Sequence, residues 1–273
     1  METEIYYFSG TGNSYYVASQ ISQKLNAPMK PIIPFLNKDN IASGAKTIGF
    51  IFPIYDFKAP KIVNDFITKL KTPEHTYFFA ICTYGVMPLN TMKKIEKTLH
   101  LKNKKLSAGF TVKMPHNGLG YSKIPVEKQK KMFTDFETKS ESIVQYVQSQ
   151  KHGLIEKNSY LDYLLLIGIL IRMMSKIIPM LAQALKKGWD SLGFYADEKC
   201  NSCGICTMIC PVENIKMIDN KPCWNDNCLN CFACIHWCPE QSIQIANLTK
   251  NMQRYHHPHV VFNDILKQKQ ENE

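Results

Sequence analysis

The stretch FSGTGNSYYVA, Phe8 to Ala18, decides how the first half of this chain is read. It follows the apolar run Ile5–Phe8 and precedes a segment with Tyr16, Val17, Ile21 and Leu25 at helical spacing. From Ser9 to Ser14 every residue is a glycine or carries a hydroxyl, except Asn13. A helix N-terminus presents unpaired N–H groups and partial positive charge. Gly10 and Gly12 let the backbone turn at positive φ or come close to a ligand, and Ser9, Thr11 and Ser14 add hydroxyl donors. The loop is expected to hold an anion, and phosphate is the natural guest. A Gly/Ser turn that only caps the helix is the plainer alternative. No GxxxxGK[ST] occurs, and Tyr15 stands where a dinucleotide-binding GxGxxG needs its third glycine.

Working outward, strand-like runs alternate with helix-like segments through the first 150 residues. Ile5–Phe8, a weaker Met29–Ile33, Thr47–Phe52, His75–Thr83 and Leu106–Val112 read as strands. Asn13–Leu25, Pro60–Leu70, Thr91–Leu99 and Val126–Gln150 read as helices. This order predicts an α/β fold, a doubly wound five-stranded parallel sheet covered on both faces. Ligands of such sheets bind beyond the carboxyl ends of the strands. The loop Ser9–Ser14 lies at such an end. So do PIYDFKAP (Pro53–Pro60), YGVMPLN (Tyr84–Asn90) and KMPHNG (Lys113–Gly118).

Nine of the ten cysteines lie between Cys200 and Cys238. CNSCGICTMICP (Cys200–Pro211) and CLNCFACIHWCP (Cys228–Pro239) are both C-x2-C-x2-C-x3-C-P, an internal duplication in which Ile215 and Ile243 also match. The pattern is that of bacterial two-cluster ferredoxins, where the fourth cysteine of each run ligates the other cluster. Cys200, Cys203, Cys206 and Cys238 are therefore assigned to one [4Fe–4S] cluster, and Cys228, Cys231, Cys234 and Cys210 to the second. Zinc sites use paired C-x2-C halves without the triple or the C-P ending. Ile205, Met208, Ile209, Phe232 and Ile235 interleave the ligands and are expected to shield the clusters from water. Cys82 and Cys223 fall outside the spacing and are expected to be small buried residues.

Together the two halves resemble the flavodoxin–ferredoxin fusion proteins of anaerobic bacteria and archaea. The phosphate loop, the inter-cluster segment NIKMIDNKPCWNDNCLNCFACIHWCP and the tail RYHHP (Arg254–Pro258) carry the resemblance. It implies a flavodoxin-like FMN domain over residues 1–150, a helical linker over 151–195, a small α+β two-cluster ferredoxin domain over 196–246 and a tail over 247–273. It implies FMN held by Ser9, Gly10, Thr11, Gly12, Asn13 and Ser14, with Tyr55 and Tyr84 lining the flavin ring beside Gly85, and Asn117 reaching the ligand. Flavodoxin-like sequences often have a second glycine after TYG, where this chain has Val86.

The chemistry implied is electron transfer between the clusters and FMN and on to a redox protein partner. An FMN-dependent reductase of a small molecule and a redox or oxygen sensor are the alternatives. No nucleophile with its base and no HExxH is present, so the functional residues are cofactor ligands rather than catalytic side chains. The formal charge is +10, and the basic run Lys93–Lys105 reads as a solvated helix face, or else a surface for an acidic partner. No nucleic-acid recognition motif is seen. The N-terminus lacks a signal-peptide pattern and the cysteines are clustered, so a cytoplasmic location is expected. In YLDYLLLIGILIRMM (Tyr160–Met174) the uncharged run Tyr163–Ile171 falls short of the roughly 20 residues a membrane span needs. It reads as a buried or amphipathic helix joining two domains, with no transmembrane segment; a homodimer is possible. His256, His257 and His259 read as a packed or solvated tail rather than metal ligands.

Overall fold

The computed structural model describes residues 2–118, 124–157, 193–246 and 248–270, with Ile167, Gly168, Met174 and Ile178 between. Its chain begins with β1 (Thr3–Tyr7), α1 (Asn13–Leu25), β2 (Met29–Pro31), β3 (Ile41–Ala42) and β4 (Thr47–Pro53). It continues through α2 (Lys61–Lys69), β5 (Leu70–Lys71), β6 (Tyr77–Tyr84), α3 (Thr91–His100), β7 (Leu106–Lys113), α4 (Val126–Gln148) and β8 (Leu154–Ile155). The main sheet has the order β2-β1-β4-β6-β7-β8, and all its pairings are parallel. Without the last strand this is the order 2-1-3-4-5 of flavodoxin-like sheets.

Six strands stand where five were expected. The extra one, β8, is only two residues long and pairs Leu154 and Ile155 with Ala108 and Gly109. It comes from the start of the segment assigned to a linker. Glu156 fastens it: its carboxylate accepts from the Thr111 backbone N–H at 2.7 Å and from Lys139 Nζ at 2.8 Å. The expected helix over Tyr160–Met174 lies almost wholly outside the described residues. No helix among the described residues is long and apolar enough to cross a membrane.

The central strands are buried on both faces, which is why they read as unbroken apolar runs rather than alternating ones. Ile5, Tyr7, Ile51, Phe79, Ile81 and Phe110 pack against α1 and α4. Tyr6, Phe8, Phe50, Phe52 and Phe78 face α2, α3 and, continuously with them, the cysteine-rich half of the chain. The basic run is only partly a solvated face. Lys93 and Lys94 are exposed, but Lys102 Nζ donates to the carbonyls of Thr68, at 2.8 Å, and Leu70. It thereby caps the carbonyls left open at the end of α2.

Among the described residues the cysteine-rich part has one short hairpin, Ile215–Ile218 with Lys221–Trp224, and one long-range antiparallel pair, Phe194–Ala196 with Ile243–Ile245, which brings its two ends together. Cys82 is fully buried on β6, but Cys223 is exposed, contrary to expectation. The alternation of the hairpin strand explains it: Pro222 faces inward, so its neighbour faces out.

Gly49 on β4 tests the packing of the sheet. A Cβ there would stand 2.2 Å from Phe79 Cζ, and the Phe79 ring is fully buried. Gly49→Ala should lower stability by about 1–3 kcal/mol through overpacking. The midpoint of chemical denaturation reads this out, and an unchanged midpoint would mean the ring has room to turn aside.

Candidate functional site: two four-thiol nests docked on a glycine loop

The duplication is visible in the backbone. Ser202 and Asn230 have φ of 62° and 53°, Gly204 and Phe232 of 74° and 55°, and Glu213 and Gln241 of 52° and 51°. Each pair occupies equivalent places in the two repeats. The left-handed residues at the first two points curl the chain into a short helix, Ile205–Ile209 or Ala233–His236, whose first turn carries the third cysteine to the same recess as the two before it. Phe232 takes a conformation that costs a bulky side chain energy, where its counterpart is glycine.

One recess, enclosing about 310 Å³, is lined by Cys200, Cys203, Cys206 and Cys238. The other, of about 330 Å³, is lined by Cys210, Cys228, Cys231 and Cys234. The fourth cysteine of each run thus faces the first three of the other. No disulfide joins any of them. Ile205, Met217 and Ile243 close the first nest, and Ile215, Trp224, Leu229 and Phe232 the second. Met208, expected among the shielding residues, is largely exposed.

Amide and hydroxyl groups point at the sulfurs. The Asn214 N–H donates to Cys210 Sγ at 3.2 Å, the Asn230 N–H to Cys228 Sγ at 3.4 Å, and Ser242 Oγ lies 3.3 Å from Cys238 Sγ. Burial, with neighbouring thiols adding to it, pushes Cys206 up to about 11 and Cys231 up to about 12. Among the described residues no three His, Cys, Asp or Glu side chains converge as ligands of a single metal ion. The thiols are spread around their recesses instead.

The second nest sits against the loop quoted at the outset. α1 starts after Gly12, at φ 97°, with no side-chain cap. Ser9, Thr11, Asn13 and Ser14 are all buried, and their polar side chains are engaged within the chain. Ser9 Oγ accepts from the Gly12 N–H at 3.0 Å, and Ser14 Oγ and Thr83 Oγ1 are 2.8 Å apart. Thr11 Oγ1 accepts from Asn117 Nδ2 at 2.9 Å, and Asn13 Oδ1 accepts from Tyr255 Oη at 2.7 Å. From the cysteine-rich half, Trp237 Nε1 donates to the Gly10 carbonyl at 3.0 Å. The tail then crosses the loop. The His257 N–H donates to the Thr11 carbonyl at 2.8 Å, and a Cβ on Gly12 would lie 3.0 Å from the Cβ atoms of His257 and Val260. In this conformation the loop's hydroxyls are engaged within the chain and the tail crosses over it.

The other residues expected at a flavin are distributed around this junction. Asn117 meets Thr11, and its carbonyl oxygen lies 2.9 Å from His236 Nε2. Tyr84 and Gly85 lie at the end of β6, and a Cβ on Gly85 would collide with His116 Cβ at 2.3 Å. Tyr55 is buried edge-on to Phe8, beneath the second nest.

Several residues that build the junction were not singled out from the sequence: His236, Trp237, Tyr255, Val260 and Gln268. RYHHP was the one signal. Its His257 ring is stacked on Tyr16 at 4.1 Å, and burial pushes its pKa down to about 3, so it packs as a neutral ring. His256 stacks on Trp237 at 4.2 Å. Arg254 Nη2 donates to the carbonyls of Gln241 and Ile243, at 3.0 and 2.9 Å.

No family model matches this chain, and neither does any curated protein. Among solved structures, a putative flavoprotein from Bacteroides uniformis is 18% identical, with a TM-score of 0.34 over 49% of this chain and 97% of its own. An FMN-dependent NADH-azoreductase from Bacillus anthracis is 8% identical, TM-score 0.37, over 53% of this chain and 100% of its own. A flavodoxin from the domain Archaea is 11% identical, TM-score 0.34, over 54% and 99%. Likenesses this slight bear on no activity; the flavodoxin-like sheet rests on its own strand order.

Gln268 tests the docking. It is fully buried, its Oε1 accepts from the Ser9 N–H at 2.9 Å, and its Nε2 donates to the Ser9 carbonyl at 3.0 Å. Gln268→Ala strands both backbone groups at a cost of about 1–3 kcal/mol each. Amide exchange at Ser9 and through residues 255–261 should quicken accordingly. Exchange unchanged from the parent would mean the tail is held by other contacts.

Proposed function

We propose that this chain is an electron-transfer protein that holds two [4Fe–4S] clusters, one in each four-cysteine nest. The observation that carries the reading is the crossing: Cys238 lies with Cys200, Cys203 and Cys206, and Cys210 with Cys228, Cys231 and Cys234.

When bound, each cluster supplies one reversible electron. The chain does the rest. Its apolar residues keep water from the sulfurs, and the amides of Asn214 and Asn230 hydrogen-bond them. Both measures set the potential. Cys200, Cys203, Cys206 and Cys238 would hold one cluster and Cys210, Cys228, Cys231 and Cys234 the other, and together they would supply one-electron transfer between a donor and an acceptor protein. Iron binds thiolates, so loading displaces thiol protons, against the burial that raises Cys206 and Cys231, and it is coupled to folding of this small module.

A flavin-loaded form is the second reading, as an FMN-dependent reductase or carrier fed by the clusters. The observation favouring it is the uncapped start of α1 within a loop rich in glycine and hydroxyls. It requires the tail to leave the loop, and the electron path proposed above does not depend on it.

The crossing supplies the test. Cys238→Ala should lose the signal of the Cys200–Cys206 cluster and Cys210→Ala that of the other. Each variant should lose about four of the roughly eight irons expected per chain. Paramagnetic resonance spectra of the two should be complementary. If each variant lost the cluster of its own run instead, the crossed assignment would fail.

A further inference from the structure

Two buried polar atoms at the junction, His257 Nε2 and the Tyr55 hydroxyl, are left without a well-formed hydrogen bond among the described residues. Tyr55 is 8% exposed, the Gly10 backbone N–H faces its oxygen, and no acceptor is in place for its proton. A buried hydroxyl without a partner is costly, so it normally has one. Its ring is fixed edge-on to Phe8 at 6.2 Å, and its backbone is pinned by two 3.0 Å hydrogen bonds with Lys58. The hydroxyl therefore cannot swing to water.

The surroundings of that hydroxyl are known from Gly10. The point where a Gly10 Cβ would stand is 2.5 Å from Tyr55 Oη, 3.2 Å from the Cys231 carbonyl oxygen and 3.4 Å from Cys231 Cβ. The hydroxyl and Cys231 thus converge on one spot that only glycine leaves clear. The neighbouring pair repeats the contact, since Asn230 Nδ2 donates to Asp56 Oδ2 at 3.4 Å. The loop after β4 is consequently built against the second nest, not the first. A phenol carries its proton at neutral pH, so the group is a donor. What it lacks is an acceptor.

We propose that the Tyr55 hydroxyl is a positioning donor to the second cluster, hydrogen-bonding the Cys231 thiolate or an adjoining sulfide. This rests on the two-cluster reading above. A donor to cluster sulfur stabilises the reduced state, which carries more negative charge, and so raises the potential. Tyr55 makes the cluster of Cys210, Cys228, Cys231 and Cys234 a better resting place for the electron than it would otherwise be, at the face where that nest meets the parallel sheet. The first nest has its own hydroxyl, Ser242 beside Cys238, so each nest has a hydroxyl that can be removed separately, while the Trp224 indole that lines the second nest stays in place.

The experiment is a redox titration of the anaerobically purified full chain followed by paramagnetic resonance, on the parent, Tyr55→Phe and Ser242→Ala. Tyr55→Phe keeps the ring and its packing. It should retain iron and sulfide at parental levels and move one of the two midpoints to lower potential. Ser242→Ala should move the other. Iron-loaded Tyr55→Phe protein with both midpoints unmoved would overturn the inference and leave the two-cluster reading standing. So would a shift in the same midpoint that Ser242→Ala moves. A parent chain without iron and sulfide would overturn both.

Discussion

Thiols gathered in one recess, some of them buried, resist ionising side by side unless positive charge sits among them. Burial and mutual repulsion keep Cys206 and Cys231 protonated far above neutrality, and Cys234 and Cys228 are raised by the same causes. Most of the cysteine-rich half follows from this constraint. Among the described residues its regular elements are one short hairpin, one long-range strand pair and two helices of five and four residues. Such elements bury too little on their own to fold without a staple. In the proposed holoprotein, iron supplies both the charge and the staple. The crossing of Cys210 and Cys238 then ties each repeat to the other, so neither half is complete alone.

The second constraint is where that module rests. Sheets of this order leave a crevice beyond the carboxyl ends of their strands, and ligands generally go there. Here the crevice receives the chain itself. Trp237, Tyr255, His257 and Gln268 reach Gly10, Asn13, Thr11 and Ser9 in turn. The apolar residues of both halves run together as one core. Glycines that would let a backbone approach a phosphate let another backbone approach instead: Gly10 makes room for Tyr55 and Cys231, and Gly12 for His257 and Val260.

Much of this was legible in the sequence. Apolar runs such as Thr47–Phe52 announced strands buried on both faces, and the spacing of helices between them announced parallel order. The repeat from Cys200 to Cys228 was plain, because ligand spacing is a local property. What was not legible was long-range. β8 is too short to have a pattern and exists because Glu156 finds Thr111 and Lys139. The exposure of Cys223 depends on which face of a hairpin looks inward. The loop Ser9–Ser14 shows its hydroxyls and glycines to any reader, but whether they meet a ligand or a tail 240 residues later is decided by packing. Tyr55 reads as an aromatic lid from sequence; only its orphaned hydroxyl beside Cys231 suggests another partner.

The most direct test of the central claim is the metal content of the full chain purified without oxygen. Iron and acid-labile sulfide should each approach about eight per chain, with the reduced protein showing two interacting half-spin centres. Zinc in the nests, or about four irons with one centre, would contradict the account.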